Sequence, residues 1–95
     1  MDKKLTIKTD AGFECEVSEY ALNDMRVLDA LVDLNRGDNV DKMAAIKELI
    51  DRLLGKEQKE KLYSFIEERK GYADLSETTK AISEIISKIN DAKKN

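Results

Sequence analysis

Two alternations open the chain: Lys4-Leu5-Thr6-Ile7-Lys8-Thr9 and Phe13-Glu14-Cys15-Glu16-Val17 carry apolar side chains at every second position. That is the period of a strand with one buried face. Asp10-Ala11-Gly12 between them supplies turn chemistry, so residues 4–17 predict a β-hairpin. Its register follows from matching the faces. A three-residue loop with Gly12 in the left-handed conformation sets Lys8 opposite Glu14, Ile7 opposite Cys15, Thr6 opposite Glu16 and Leu5 opposite Val17. One face is then apolar and the other carries opposite charges. A two-residue loop would put Lys8 against Cys15 and lose the match. A lone ribbon is marginal in water and needs a support. Its unpaired edge predicts extension of the sheet by another copy or by a partner.

After the hairpin the spacing becomes helical. From Ala21 to Leu34 the apolar positions Leu22, Met25, Leu28, Leu31, Val32 and Leu34 recur, with Asn23 as cap and Gly37 as stop. Asp38-Asn39 caps a second helix reaching about Leu54; Met43, Ile46, Leu49, Ile50 and Leu53 form its stripe, and Glu48 and Arg52 pair outside. Gly55 ends it. A third, from about Glu57 to Lys70, points Leu62, Phe65 and Ile66 inward, with Glu57 in its positively polarised first turn and Arg69 and Lys70 in its last. Gly71 stops that one. Asp74 or Ser76 caps a fourth, where Leu75, Ile82, Ile85, Ile86 and Ile89 share a face before a polar tail from Asn90 to Asn95 frays. The short links contain no proline and no linker composition. The expectation is one domain over residues 1–95: a hairpin over 4–17, a helical part over 21–90 and a frayed tail over 91–95. Its class is mainly α, a compact bundle of about four helices with an N-terminal β-hairpin.

A chain of 95 residues buries only roughly 60 to 65% of its unfolded surface, so a partner can contribute materially to the folded state. The net charge of −3 offers no general attraction to phosphate backbones or anionic lipid. No apolar run approaches the roughly 20 residues that cross a bilayer, and Met1-Asp2-Lys3-Lys4-Leu5-Thr6 lacks the apolar core of a secretion signal. A cytoplasmic protein is expected. The single cysteine forms no internal disulfide and suits a reducing compartment.

Candidate chemistry is sparse. Histidine is absent, which removes the usual general base and the commonest metal ligand. Glu67 and Glu68 neighbour Arg69 and Lys70 at a helix end, and Glu14 and Glu16 lie on a wet strand face, so both carboxylate pairs read as solvated surface. Asp38-Asn39-Val40-Asp41 resembles the start of a calcium loop but lacks the glycine and glutamate such a loop requires; it reads as a helix cap. Cys15 is a buried small hydrophobe without a histidine to activate it. Lys56, Lys59, Lys61, Arg69 and Lys70 are interleaved with Glu57, Glu60, Glu67 and Glu68, a solvated face more than a nucleic-acid stripe. Tyr63, Tyr72, Leu54 and Leu75 are the candidate partner-binding residues, the tyrosines being amphipathic anchors that serve equally well as covers for the core. No catalytic residue, metal or cofactor is expected.

Four segments carry a family resemblance: Phe13-Glu14-Cys15-Glu16-Val17-Ser18; Asp24-Met25-Arg26-Val27-Leu28-Asp29-Ala30-Leu31; Leu53-Leu54-Gly55-Lys56-Glu57-Gln58 opening a helix through Leu62; and the Gly71 break before Leu75 to Ile89. In this order they resemble the tail assembly chaperones of long-tailed (siphovirus-type) bacteriophages and prophages. The resemblance covers most of the chain from Phe13 onward. It implies a non-enzymatic role: several copies bind the tape-measure protein, keep it soluble and help recruit tail-tube subunits, then leave before the virion matures. The alternative from the residues themselves is a small regulatory nucleic-acid-binding domain using the helices on either side of Gly55.

Overall fold

In the computed structural model, which describes residues 3–93, strands β1 (Lys4–Lys8) and β2 (Glu14–Ser18) pair antiparallel in the expected register. Lys8 lies opposite Glu14, Ile7 opposite Cys15, Thr6 opposite Glu16 and Leu5 opposite Val17. Thr9 closes the turn: its N–H donates to the Phe13 carbonyl at 2.8 Å, its carbonyl accepts from the Gly12 N–H at 2.9 Å, and its Oγ1 accepts from the Phe13 N–H at 3.1 Å. Gly12 has φ 109°. Thr9 is buried with its hydroxyl satisfied, so it costs the core no orphaned polar atom. The loop tip is pinned from outside, where the Asp10 N–H donates to the Glu84 carboxylate and Lys88 lies 3.9 Å from Asp10.

A 3₁₀ turn (Ala21–Asn23) leads into α1 (Met25–Arg36). The helix therefore starts later than its apolar spacing suggests, and Asp24 caps it in place of Asn23, its Oδ1 accepting from the Arg26 N–H at 2.9 Å. Its inward face is also rotated. Val27 and Ala30 are buried, while Met25 and Val32 face solvent. Asp38 caps α2 (Asn39–Lys70), accepting from the Asp41 N–H at 3.0 Å. Glu48 and Arg52 form the expected external pair at 2.7 Å. Asp74 caps α3 (Leu75–Lys93): its carboxylate accepts from the Glu77 N–H at 2.9 Å, and its carbonyl from the Thr78 hydroxyl at 2.7 Å. The helix holds through Lys93, beyond the expected fraying point; Lys94 and Asn95 of the predicted tail lie outside the described residues.

Three helical elements stand where about four helices are expected: residues 39–70 run as one element, in which two helices meet at a kink without a loop, and the expected break falls at Gly55, whose backbone (φ 76°, ψ 172°) is not helical. A straight helix of 32 residues would be about 48 Å long. The whole fold extends only 37 Å along its longest axis. The bend lets the first half of α2 pack on α1 while the second half turns under the hairpin, where the Phe13 and Phe65 rings meet at 5.7 Å. Between the hairpin, α2 and α3 lies one core, with Leu49, Leu62, Ile85 and Ile89 wholly buried. Among the described residues no helix is long and apolar enough to cross a membrane.

Gln58 ties the bend to the sheet. Its Oε1 accepts from the Glu16 N–H at 2.7 Å, while its Nε2 donates to the Glu16 carbonyl at 2.8 Å and to the Leu54 carbonyl at 2.9 Å. One amide thus serves both outward backbone groups of Glu16, at the middle of β2, and a carbonyl left over at the break. Leucine at this position keeps the volume and loses all three bonds. We expect Gln58→Leu to lower the unfolding free energy by about 1–2 kcal/mol in urea titrations. An unchanged midpoint would refute the role given to this amide.

Candidate functional site

The first half of α2 is apolar over a wider arc than α1 covers. Ile46 and Ile50 turn inward, but Met43 is 52% exposed and Val40, one turn earlier, is exposed as well. The second half of α2 returns beside the first and brings up half-buried Tyr63. The Gly71 turn and the start of α3 close the third side with Ala73, Leu75 and Thr78. The result is an open groove of about 280 Å³, floored by Ile46, Ile50 and Thr78, walled by Met43, Tyr63 and Leu75, with Lys47 at its rim.

Hydrogen bonds hold its far wall. The Asp74 carboxylate lies below the usual carboxylate range, chiefly because the Glu77 N–H donates to it and secondly because the Tyr72 hydroxyl does. The same bond to Asp74 pushes the Tyr72 phenol up. This cap works while Asp74 is ionised and weakens as pH falls through its lowered pKa. Lys70 reaches across the Gly71 turn to Glu77 at 3.8 Å.

Of the four partner-binding candidates, Tyr63 and Leu75 converge on the groove. Tyr72 stands beside the turn, 60% exposed and bonded to Asp74. Leu54 is buried in the core and presents no surface. Leu75 does not share the inward face of α3 expected for it: it is 52% exposed, and Thr78 fills the buried position one turn on. Met43, likewise expected inward, is the groove's outer wall. The legible sign of this groove was the excess of apolar positions at 40, 43, 46, 49, 50, 53 and 54, more than one stripe needs.

Cys15 is buried at the hairpin, where burial and then the neighbouring Glu14 charge push its thiol up to about 11; thiolate is scarce at neutral pH. Lys59, one of the basic residues after the bend, pairs back across it with Asp51 at 3.2 Å. Arg69 lies over the Phe65 ring, 5.7 Å from its centroid. Among the described residues no group of three or more His, Cys, Asp or Glu is placed to hold a metal ion. Comparison of the chain with protein-family models, with curated proteins and with solved structures gave no match.

Proposed function

We propose that this protein is a non-enzymatic tail assembly chaperone that binds a tape-measure protein, keeps it soluble and helps bring tail-tube subunits to it in the host cytoplasm. The observation that carries the reading is the groove between the two halves of α2 and the start of α3, an apolar concavity on a chain whose residues are 39% charged. A tape measure is a long helical protein, and an amphipathic helix fits such a groove by laying its apolar face along Met43, Tyr63 and Leu75. The charged remainder keeps the complex in solution. The family resemblance of the Leu53-Leu54-Gly55-Lys56-Glu57-Gln58 segment supports the same role, since that segment builds the bend that makes the groove.

Co-expression with a tape-measure protein tests the proposal. A soluble complex surviving gel filtration is expected. If the tape measure stays insoluble and no complex is recovered, the assignment fails. Met43→Glu and Leu75→Glu replace residues more than half exposed and should alter folding stability by less than about 0.5 kcal/mol. Together they should weaken the complex by at least ~10-fold, or about 1.4 kcal/mol.

A further inference from the structure

We propose that the open edge of β1 binds an extended acidic segment of a partner protein as a third strand, independently of the α2 groove. The register decides which backbone groups are available. Leu5 and Ile7 lie in the pairs that exchange hydrogen bonds with β2, consistent with the neighbouring bonds from Thr9 to Phe13 and from Glu19 to Lys3. The N–H and C=O groups of Lys4, Thr6 and Lys8 consequently point away from β2. Among the described residues no third strand pairs with that edge, whose sheet order is β1-β2, and all three residues are exposed; α3 approaches β1 at its turn end, where Glu84 takes the Asp10 N–H, the next outward group after Lys8.

The opposite edge differs. The Gln58 amide occupies both outward groups of Glu16, at 2.7 and 2.8 Å, so β2 is closed to a further strand where β1 is open.

Charge selects the occupant. A second copy docking antiparallel about Thr6 would set Lys4 opposite Lys8 twice over, and like charges directly opposite are destabilising. Lysines on an edge repel identical edges in this way. An incoming strand with acidic residues at those two positions, a small polar residue opposite Thr6 and apolar residues between them meets the reverse situation. Its carboxylates face Lys4 and Lys8, and its apolar side chains lie beside half-buried Leu5 and buried Ile7. β2 shows the charge match at one of these positions, placing Glu14 opposite Lys8, while Ser18 faces Lys4 and Glu16 faces Thr6.

The test uses the full chain and the synthetic peptide Ser-Glu-Val-Thr-Val-Glu-Ser, with Ser-Lys-Val-Thr-Val-Lys-Ser as control, followed by amide NMR shifts and hydrogen exchange. The acidic peptide should shift and protect the amides of Lys4, Thr6 and Lys8, and bind at least ~10-fold more tightly than the basic one. Thr6→Pro removes the central N–H at a position where an edge strand tolerates proline, and should abolish binding. The double variant Lys4→Glu/Lys8→Glu keeps the backbone edge and should reverse the preference, binding the basic peptide. Equal binding of both peptides, no response of these amides to the acidic peptide, or concentration-dependent protection of the same amides without any peptide would overturn the proposal; the last result would assign the edge to self-association. Because Met43→Glu and Leu75→Glu lie outside this edge, they should leave peptide binding unchanged, which separates this inference from the chaperone reading.

Discussion

Replacing Leu62 with alanine is expected to lower the unfolding free energy by about 4 kcal/mol, in the upper part of the range for such substitutions. Leu62 is wholly buried in the second half of α2, below the hairpin. A partly open pocket of about 40 Å³ already lies beside it, bordered by Phe13, Phe65 and Ile66. Truncation leaves a gap next to that pocket; the surrounding walls belong to a hairpin fixed by Gln58 and a helix fixed by Asp74, so they have little room to collapse inward. A domain of this size has a total stability of about 5–14 kcal/mol, so the loss is a large fraction of the whole. Urea titration should show a lower midpoint with the slope retained. A loss under about 1 kcal/mol would mean that the packing described here does not form.

Gly55→Ala tests the bend, and the sign of its effect is decisive. Were Gly55 an ordinary glycine within a helix, alanine would stabilise the protein by about 1 kcal/mol. At φ 76° and ψ 172° the residue occupies a region that only glycine enters readily, and a side chain there costs on the order of 1–3 kcal/mol. A Cβ at this position would meet nothing within 4 Å, so the penalty lies in the backbone and cannot be relieved by moving a neighbour. We expect a loss of about 2 kcal/mol, seen as a fall in Tm of about 8–16 °C. The alternative response, straightening α2, would draw Tyr63 away from Met43 and open the core. A rise in Tm would refute the bent conformation.

These two residues show where sequence reading reached and where it stopped. The hairpin register was legible because three constraints coincide: the period of two, the charge match of Lys8 with Glu14, and a loop length that only one register accepts. The caps at Asp38 and Asp74 were legible for a local reason, since a carboxylate bonds an N–H a few residues ahead whatever the rest of the chain does. Gly55 was read as punctuation between two helices. The break falls there as read; that the second helix follows without a loop and turns under the hairpin, where Phe65 meets Phe13, is decided by packing.

Periodicity establishes that a helix has an apolar stripe without saying which edge of a wide stripe is covered. In α1 the spacing favoured Met25 and Val32, yet contact with α2 buries Val27 and Ala30, the latter small enough for close approach of the helices. In α3 Leu75 belonged to the apolar repeat, but the Gly71 turn delivers α3 at an angle that leaves Leu75 at the rim and Thr78 inside. Gln58 gave no local sign at all, because the backbone it serves lies 42 residues earlier. The chain's own pattern thus settles its strands, the Asp38 cap and its helical class, all consequences of interactions a few residues apart. The groove and the closed edge of β2 arise when distant segments meet, since exposure is a property of what lies opposite a residue and not of the residue itself.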